Sequence, residues 1–274
     1  MTLATTHLSI AGFVIQVTTA EPLLRSFLGR AGAYQVPAEA PDIVLEVEED
    51  PCFVPPAPPQ ASYPAPDGVF QDGRYTFWRR DLLVHVTPGS PTQAHGRCQS
   101  GLGIAVENIL RLCLSTCVPL RGGLMLHASA VEHEGKGFVF TGVSGSGKST
   151  VIKLLQGAGV ARSLGDEVTV LRITADGITV HSTPFGRELP PVPPGKAPLC
   201  RLFLLHPSRV FPREPSLAAV RLLRNALAVC PTENLASAIL ANAETVVCHA
   251  DCRALYQPSA EELMRALKEP VTSG

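Results

Sequence analysis

Gly142-Val143-Ser144-Gly145-Ser146-Gly147-Lys148-Ser149 satisfies the spacing G-x-x-x-x-G-K-[ST] at every fixed position, and the reading of this stretch decides the fold. An apolar run, Phe138-Val139-Phe140-Thr141, stands before it. Residues 151–156 after it have helix-forming composition and stop at Gly157 and Gly159. Strand, glycine-rich loop and helix in that order are the context in which the motif binds nucleotide phosphates. Glycine lets the backbone curl until several N–H groups point inward, and the helix start adds the positive end of its dipole. The expected phosphate contacts are therefore Gly142, Ser144, Gly145, Ser146 and Gly147 in the loop, with Lys148, Ser149 and Thr150 opening the helix. Lys148 would reach the outer phosphates, and the Ser149 hydroxyl would hold a metal ion. The cofactors this implies are a nucleotide and Mg²⁺.

The sequence beyond the loop narrows the class. An acid pair, Asp166-Glu167, follows Arg162-Ser163-Leu164-Gly165 and precedes an apolar run at residues 168–171. There is no Leu-Ser-Gly-Gly run and no Asn-Lys-x-Asp motif for guanine, so ordinary transporter ATPase and GTPase readings lose ground. Upstream stands Leu126-His127-Ala128-Ser129-Ala130-Val131. In phosphoryl transfer the protein supplies position and charge neutralisation more than covalent help. A carboxylate that orients or deprotonates the attacking hydroxyl contributes on the order of 10²–10⁴-fold. Asp166 lies far enough past Lys148 for a helix to run out and the chain to return to the loop.

Taken in order, the His127 stretch, the loop and Leu164-Gly165-Asp166-Glu167 resemble the catalytic domain of HPr kinase/phosphorylase, and more closely the HPr-kinase-like proteins of peptide modification. The resemblance covers residues 122–182, with a looser match onward. It implies an α/β fold, a P-loop nucleotide-binding mixed-sheet catalytic domain akin to the ATP-dependent phosphoenolpyruvate carboxykinases. It also implies that His127 stands on the phosphate side and that Asp166 accepts the hydroxyl proton. Glu167 becomes the metal-side acid, and Ser149, Glu167 and Asp166 together surround Mg²⁺. The family usually carries two aspartates where this chain has Asp166-Glu167, and the stretch that handles HPr is not recognisable here. The expected activity is an ATP-dependent kinase acting on a Ser/Thr hydroxyl of a small protein or ribosomally made peptide. The alternative is a nucleotide-binding switch or partner-binding module that has lost the reaction. The parent family's closed oligomers extend the expectation to a homo-oligomer.

Residues 1–100 read as a β-rich N-terminal module, and residues 101–274 as the P-loop catalytic domain. Strands are expected at residues 8–18, 42–48, 69–78 and 82–87, with a short helix at 22–30. Seven of the sixteen positions from Pro51 to Pro66 are proline, which leaves too few backbone donors for a sheet or helix interior and marks a connector. Residues 103–118 are apolar on nearly every face and read as a buried helix ended by Pro119. Later expectations are a strand at 124–132, a hairpin through Asp176-Gly177, a strand at 199–205, a helix at 216–229, mostly strand at 244–255, and a last helix at 260–268.

Several classes are disfavoured. Lys+Arg 23 against Asp+Glu 24 gives a formal net charge of −1, without the basic surplus of a general nucleic-acid binder. Glu107, Arg111 and His127 interrupt the most apolar stretches, so no membrane span is expected. The N-terminus has no basic residue ahead of its apolar part and reads as a strand rather than a signal peptide. Eight cysteines are too few for a disulfide scaffold in 274 residues. The expected location is the cytoplasm.

Three lesser features complete the reading. Arg187, in a proline-held loop, is a candidate second clamp on phosphate. Arg201, Arg209 and Arg213 form a basic stretch read as a solvated face. Cys248-His249-Ala250-Asp251-Cys252 would span about 13 Å if extended, too far for two thiolates on one zinc ion, and Cys113 with Cys117 reads as core.

Overall fold

The computed structural model describes residues 2–54, 67–79, 81–99, 103–159, 161–186, 190–206, 215–229, 232–256 and 258–270. The chain is mixed α/β and divides into two compact units, residues 1–117 with 228–236, and residues 118–227 with 237–274.

The first unit begins with β1 (Leu3–Ile10) and β2 (Phe13–Ala20), then α1 (Glu21–Ala31) and β3 (Ile43–Glu49). After the proline-rich stretch, of which residues 55–66 lie outside the described residues, come β4 (Asp67–Gln71), β5 (Arg74–Arg79), β6 (Leu82–Thr87) and β7 (Thr92–Cys98). These form a mixed seven-stranded sheet in the order β1-β2-β3-β7-β6-β5-β4. The single strand expected at residues 8–18 is instead a hairpin. The chain reverses at Ala11-Gly12, both at positive φ (53° and 79°), a two-residue turn whose twist suits the flanking strands. Residues 69–78 likewise split into β4 and β5 around Asp72-Gly73. Strand β7, central between β3 and β6, was not expected. Its sequence TQAHGRC has weak β propensity, and it is held by pairing on both edges.

Helix α2 (Gly103–Leu120) runs through Pro119 rather than stopping before it. Its length and hydropathy would suit a membrane span, but 78% of it is buried in the protein. The Pro119 carbonyl accepts from the Asn242 side chain at 2.9 Å.

The second unit contains β8 (Gly123–Leu126), β9 (Ala128–His133), β10 (Lys136–Thr141), α3 (Lys148–Gly157) and β11 (Arg162–Asp166), followed by β12 (Thr169–Thr174), β13 (Gly177–His181) and β14 (Lys196–His206). It closes with α4 (Pro215–Arg224), α5 (Glu233–His249, whose first residues belong to the first unit), β15 (Asp251–Tyr256) and α6 (Ala260–Lys268). The described strands form an eight-stranded mixed sheet, β11-β9-β10-β14-β13-β12-β8, with β15 also paired to β14. The strand expected at 124–132 breaks at His127. Its first half pairs with β12 and its second with β10 and β11. Residues 244–249, expected as strand, finish a helix instead. Leu235, Ile239, Ala243 and Val246 are all buried, a helical spacing that the β-branched pair Val246-Val247 disguised.

The core over this sheet is built from α3 and α6. Val151, Ile152 and Leu155 of α3 and Leu263, Ala266 and Leu267 of α6 pack on Phe138, Phe140 and Phe203. The Phe140 and Phe203 rings stack 5.0 Å apart. Helix α6 starts with a reciprocal capping box, in which the Ser259 hydroxyl accepts from the Glu262 N–H and the Glu262 carboxylate from the Ser259 N–H. Its far end is held by Arg201, which corrects the solvated-face reading of that residue. Arg201 is wholly buried, paired with Asp251 at 2.8 Å, and donates to the carbonyls of Ala266, Glu269 and Pro270. Burial pushes the Asp251 carboxyl up, but hydrogen bonds from Arg253 and Arg201 outweigh it and hold the group below its usual value. Arg209 and Arg213 lie outside the described residues.

Two outcomes follow for stability. Arg201→Leu strands three carbonyls and half of an ion pair, and urea unfolding should register a loss of about 3 kcal/mol. In β13, burial and the charges of Arg172 and Lys196 lower His181 from 6.5 to about 4. The unfolded chain takes up this proton first, so stability is full above about pH 6.5 and falls as the pH drops towards 4. Urea midpoints against pH should show that decline, and a shallower one in His181→Gln.

Candidate active site

The loop lies between β10 and α3. Gly142 follows the strand so closely that a Cβ there would sit 2.5 Å from the Leu205 carbonyl of β14 and 2.7 Å from the Ser146 hydroxyl. Gly147, the residue before α3, has φ 95°, a conformation that glycine alone adopts cheaply. Within the loop the Ser146 N–H donates to the Val143 carbonyl at 3.1 Å. Lys148 is 7% exposed and folds back over the loop, its Nζ donating to the carbonyls of Gly142 (2.9 Å) and Val143 (3.2 Å). Ser144, Gly145 and Thr150 are exposed, and Ser149 is half-buried in the first turn of α3. The Ser146 hydroxyl is buried with no hydrogen-bond partner among the described residues. A loop with positive-φ glycines, a buried orphan hydroxyl and a helix start suits an anionic ligand.

Strand β9 pairs with β10 on one edge and β11 on the other. It thereby brings the two other sequence candidates to the loop. Asp166, the last residue of β11, is 7% exposed and opposite Ser129, whose hydroxyl donates to Asp166 Oδ1 at 2.7 Å. The acid is therefore strand-terminal, not part of a solvated turn. His127 occupies the break between β8 and β9. Its N–H donates to the Asn225 carbonyl at 2.7 Å, and its Nδ1 lies 3.1 Å from the Glu167 carbonyl. A carbonyl can only accept, so Nδ1 carries the proton and the neutral ring keeps Nε2 as an acceptor. Burial, then the Lys148 charge, lowers the His127 pKa, against the Glu167 hydrogen bond and the charges of Glu167 and Asp166, which raise it. Burial also lowers Lys148, and Asp166 raises it. His127, Lys148 and Asp166 thus share one electrostatic neighbourhood.

Glu167 is half-buried at φ 145°, a strained backbone for a residue with a Cβ. Its N–H donates to the Ala128 carbonyl at 3.3 Å. Arg187 lies outside the described residues. Ser129, Thr169, Thr183 and Asn225 also brace this region, and sequence reading passed over them.

No group of three or more His, Cys, Asp or Glu among the described residues could hold a metal ion. Magnesium carried on a nucleotide needs only one or two protein ligands beside the phosphates. A cleft of about 850 Å³ lies elsewhere, lined by β15 and α6. Its charges are already engaged, Arg253 with Asp251 and Glu269, and Arg265 with Glu261.

No family model matches the chain, and no curated protein does. Among solved structures it is similar to the Hpr(Ser) kinase/phosphatase from Coxiella burnetii, at 16% identity and a TM-score of 0.28, over 34% of this chain and 71% of that one. A likeness at that TM-score carries no argument for activity, so the functional reading rests on the site itself.

Gly142→Ala tests the close approach of loop and sheet. Overpacking against the Leu205 carbonyl should lower stability by about 1–3 kcal/mol in urea unfolding, whereas an unchanged midpoint would mean that the loop has room to shift.

Proposed function

We propose that the chain is an ATP-dependent kinase that phosphorylates a Ser/Thr hydroxyl on a small protein or ribosomally made peptide. The observation that carries the proposal is the convergence of a phosphate-type loop, the Lys148 ammonium, the His127 imidazole and the Asp166 carboxylate. ATP, when bound, supplies the phosphoryl group, and Mg²⁺ neutralises its charge.

Each residue has a definite part. Gly142, Ser144, Gly145 and Gly147 offer backbone N–H groups to phosphate oxygens, and Ser146, whose N–H is taken by the Val143 carbonyl, offers the hydroxyl that lacks a partner. Lys148 exchanges its two loop carbonyls for phosphate, with Thr150 beside it at the helix start. Ser149, Asp166 and Glu167 would hold the metal. Asp166 takes the proton of the acceptor hydroxyl, and His127 fixes the Glu167 carbonyl through Nδ1 and so steadies the acid pair. Arg187 remains a proposed second phosphate clamp.

The test is transfer from γ-labelled ATP with Mg²⁺ into peptide and small-protein fractions, with wild type beside Lys148→Ala and Asp166→Asn. Wild type should label an acceptor. Lys148→Ala should lose nucleotide binding. Asp166→Asn should still bind nucleotide but transfer about 10²–10⁴-fold more slowly, and transfer at the wild-type rate would remove Asp166 as the base. Tight binding without transfer to any fraction would favour a nucleotide-dependent switch.

A further inference from the structure

We infer that Ser129 is a positioning residue for the transfer, holding one oxygen of the Asp166 carboxylate so that the other meets the acceptor hydroxyl. The inference rests on the kinase reading above. Ser129 and Asp166 are direct cross-strand partners, so their side chains share a face of the sheet. The Ser129 hydroxyl is fully buried and donates to Oδ1 at 2.7 Å, a charge-assisted bond when the acid is ionised. No hydrogen bond to Oδ2 occurs among the described residues.

A separate set of contacts fixes the backbone that carries the acid. The Glu167 N–H and the Thr169 hydroxyl both donate to the Ala128 carbonyl, at 3.3 and 3.0 Å. The Thr183 hydroxyl donates to the Val168 carbonyl at 2.7 Å, and His127 Nδ1 to the Glu167 carbonyl. These bonds hold the strained φ of Glu167, a conformation that persists only where its surroundings over-determine it. They leave the two side-chain torsions of Asp166 unspecified. Ser129 is the residue that specifies them. It can do so because it sits in β9 with strands on both sides and has little freedom of its own. The chemistry needs this, because a catalytic group misplaced by about 1 Å can cost on the order of 10²-fold in rate.

The experiment measures γ-phosphate turnover from Mg–ATP, with a synthetic pool of Ser- and Thr-containing peptides as acceptor. Ser129→Ala and Ser129→Thr are made in wild type and in Asp166→Asn. Ser129→Ala should lower kcat about 10–100-fold and leave the KM for Mg–ATP within about twofold. Ser129→Thr keeps the hydroxyl and should recover most of the rate. In Asp166→Asn, Ser129→Ala should cost nothing more, since it acts through the carboxylate. Ser129→Cys, a near-isostere with a weak donor, should lose rate without losing stability, which covers an alanine variant that fails to fold. An unchanged kcat in Ser129→Ala or Ser129→Cys, or an equal loss in both backgrounds, overturns the role of Ser129 and leaves the kinase reading standing. A wild type that transfers nothing to the pool while binding Mg–ATP overturns the kinase reading, and the role of Ser129 with it.

Discussion

Strand β9 is hydrogen-bonded along both edges, to β10 and to β11, and the arrangement of the second unit's site depends on that double pairing. β10 ends in the loop and β11 ends in the acid. Neither strand pairs with the other, so β9 sets the separation of loop and acid at two strand spacings, about 10 Å. Its register then selects which residues meet. Phe140 and Asp166 are both cross-strand partners of Ser129, so the core that packs under α3 and the Asp166 carboxylate belong to one cross-strand row. A one-residue slip would send Asp166 to the opposite face.

The second constraint is the anchoring of β14. Its C-terminal part lies parallel to both β10 and β15, and its Leu205 carbonyl meets Gly142 at the base of the loop. A strand that supports the glycine-rich loop cannot shift without moving that loop. Arg201 supplies the restraint by tying β14 to β15 through Asp251 and to the end of α6 through three carbonyls. A buried arginine is costly unless every donor finds a partner, and here the guanidinium is bonded on all sides. The aromatic stack of Phe140 on Phe203 serves the same pair of strands from the core side.

Polar burial near the loop follows a common logic. Hydroxyls of Ser129, Thr169 and Thr183 satisfy carbonyls or a carboxylate that the break at His127 and the bend at Glu167 leave outside regular ladders. The Ser146 hydroxyl, like that of Ser163 in β11, is buried without a partner among the described residues. Unsatisfied buried donors are uncommon because each forfeits its hydration. One that lies inside a loop of phosphate-binding spacing is therefore informative, as is the strain at Glu167. Both departures from good local structure sit beside the residues proposed to do the chemistry.

Local rules made part of this protein legible. The loop, its flanking strand and helix, the hairpin through Asp176-Gly177 and helix α6 from Ala260 to Lys268 are each specified by a few adjacent residues whose backbone preferences agree. Lys148 is a candidate for a similar reason, since motif spacing is a local property, whereas His127 and the role of Asp166 come from the family resemblance. What the tertiary structure decided lies in pairing between distant residues. β7 is a strand because neighbours on both edges make it one, α5 is a helix because its buried spacing outweighs Val246-Val247, and Arg201 is buried because Asp251 and the end of α6 await it. The split at His127 and the meeting of Ser129 with Asp166 are of this kind. Hydrogen bonds between residues 37 apart in the chain carry no signature in either local stretch, and only the register of three paired strands brings them into being.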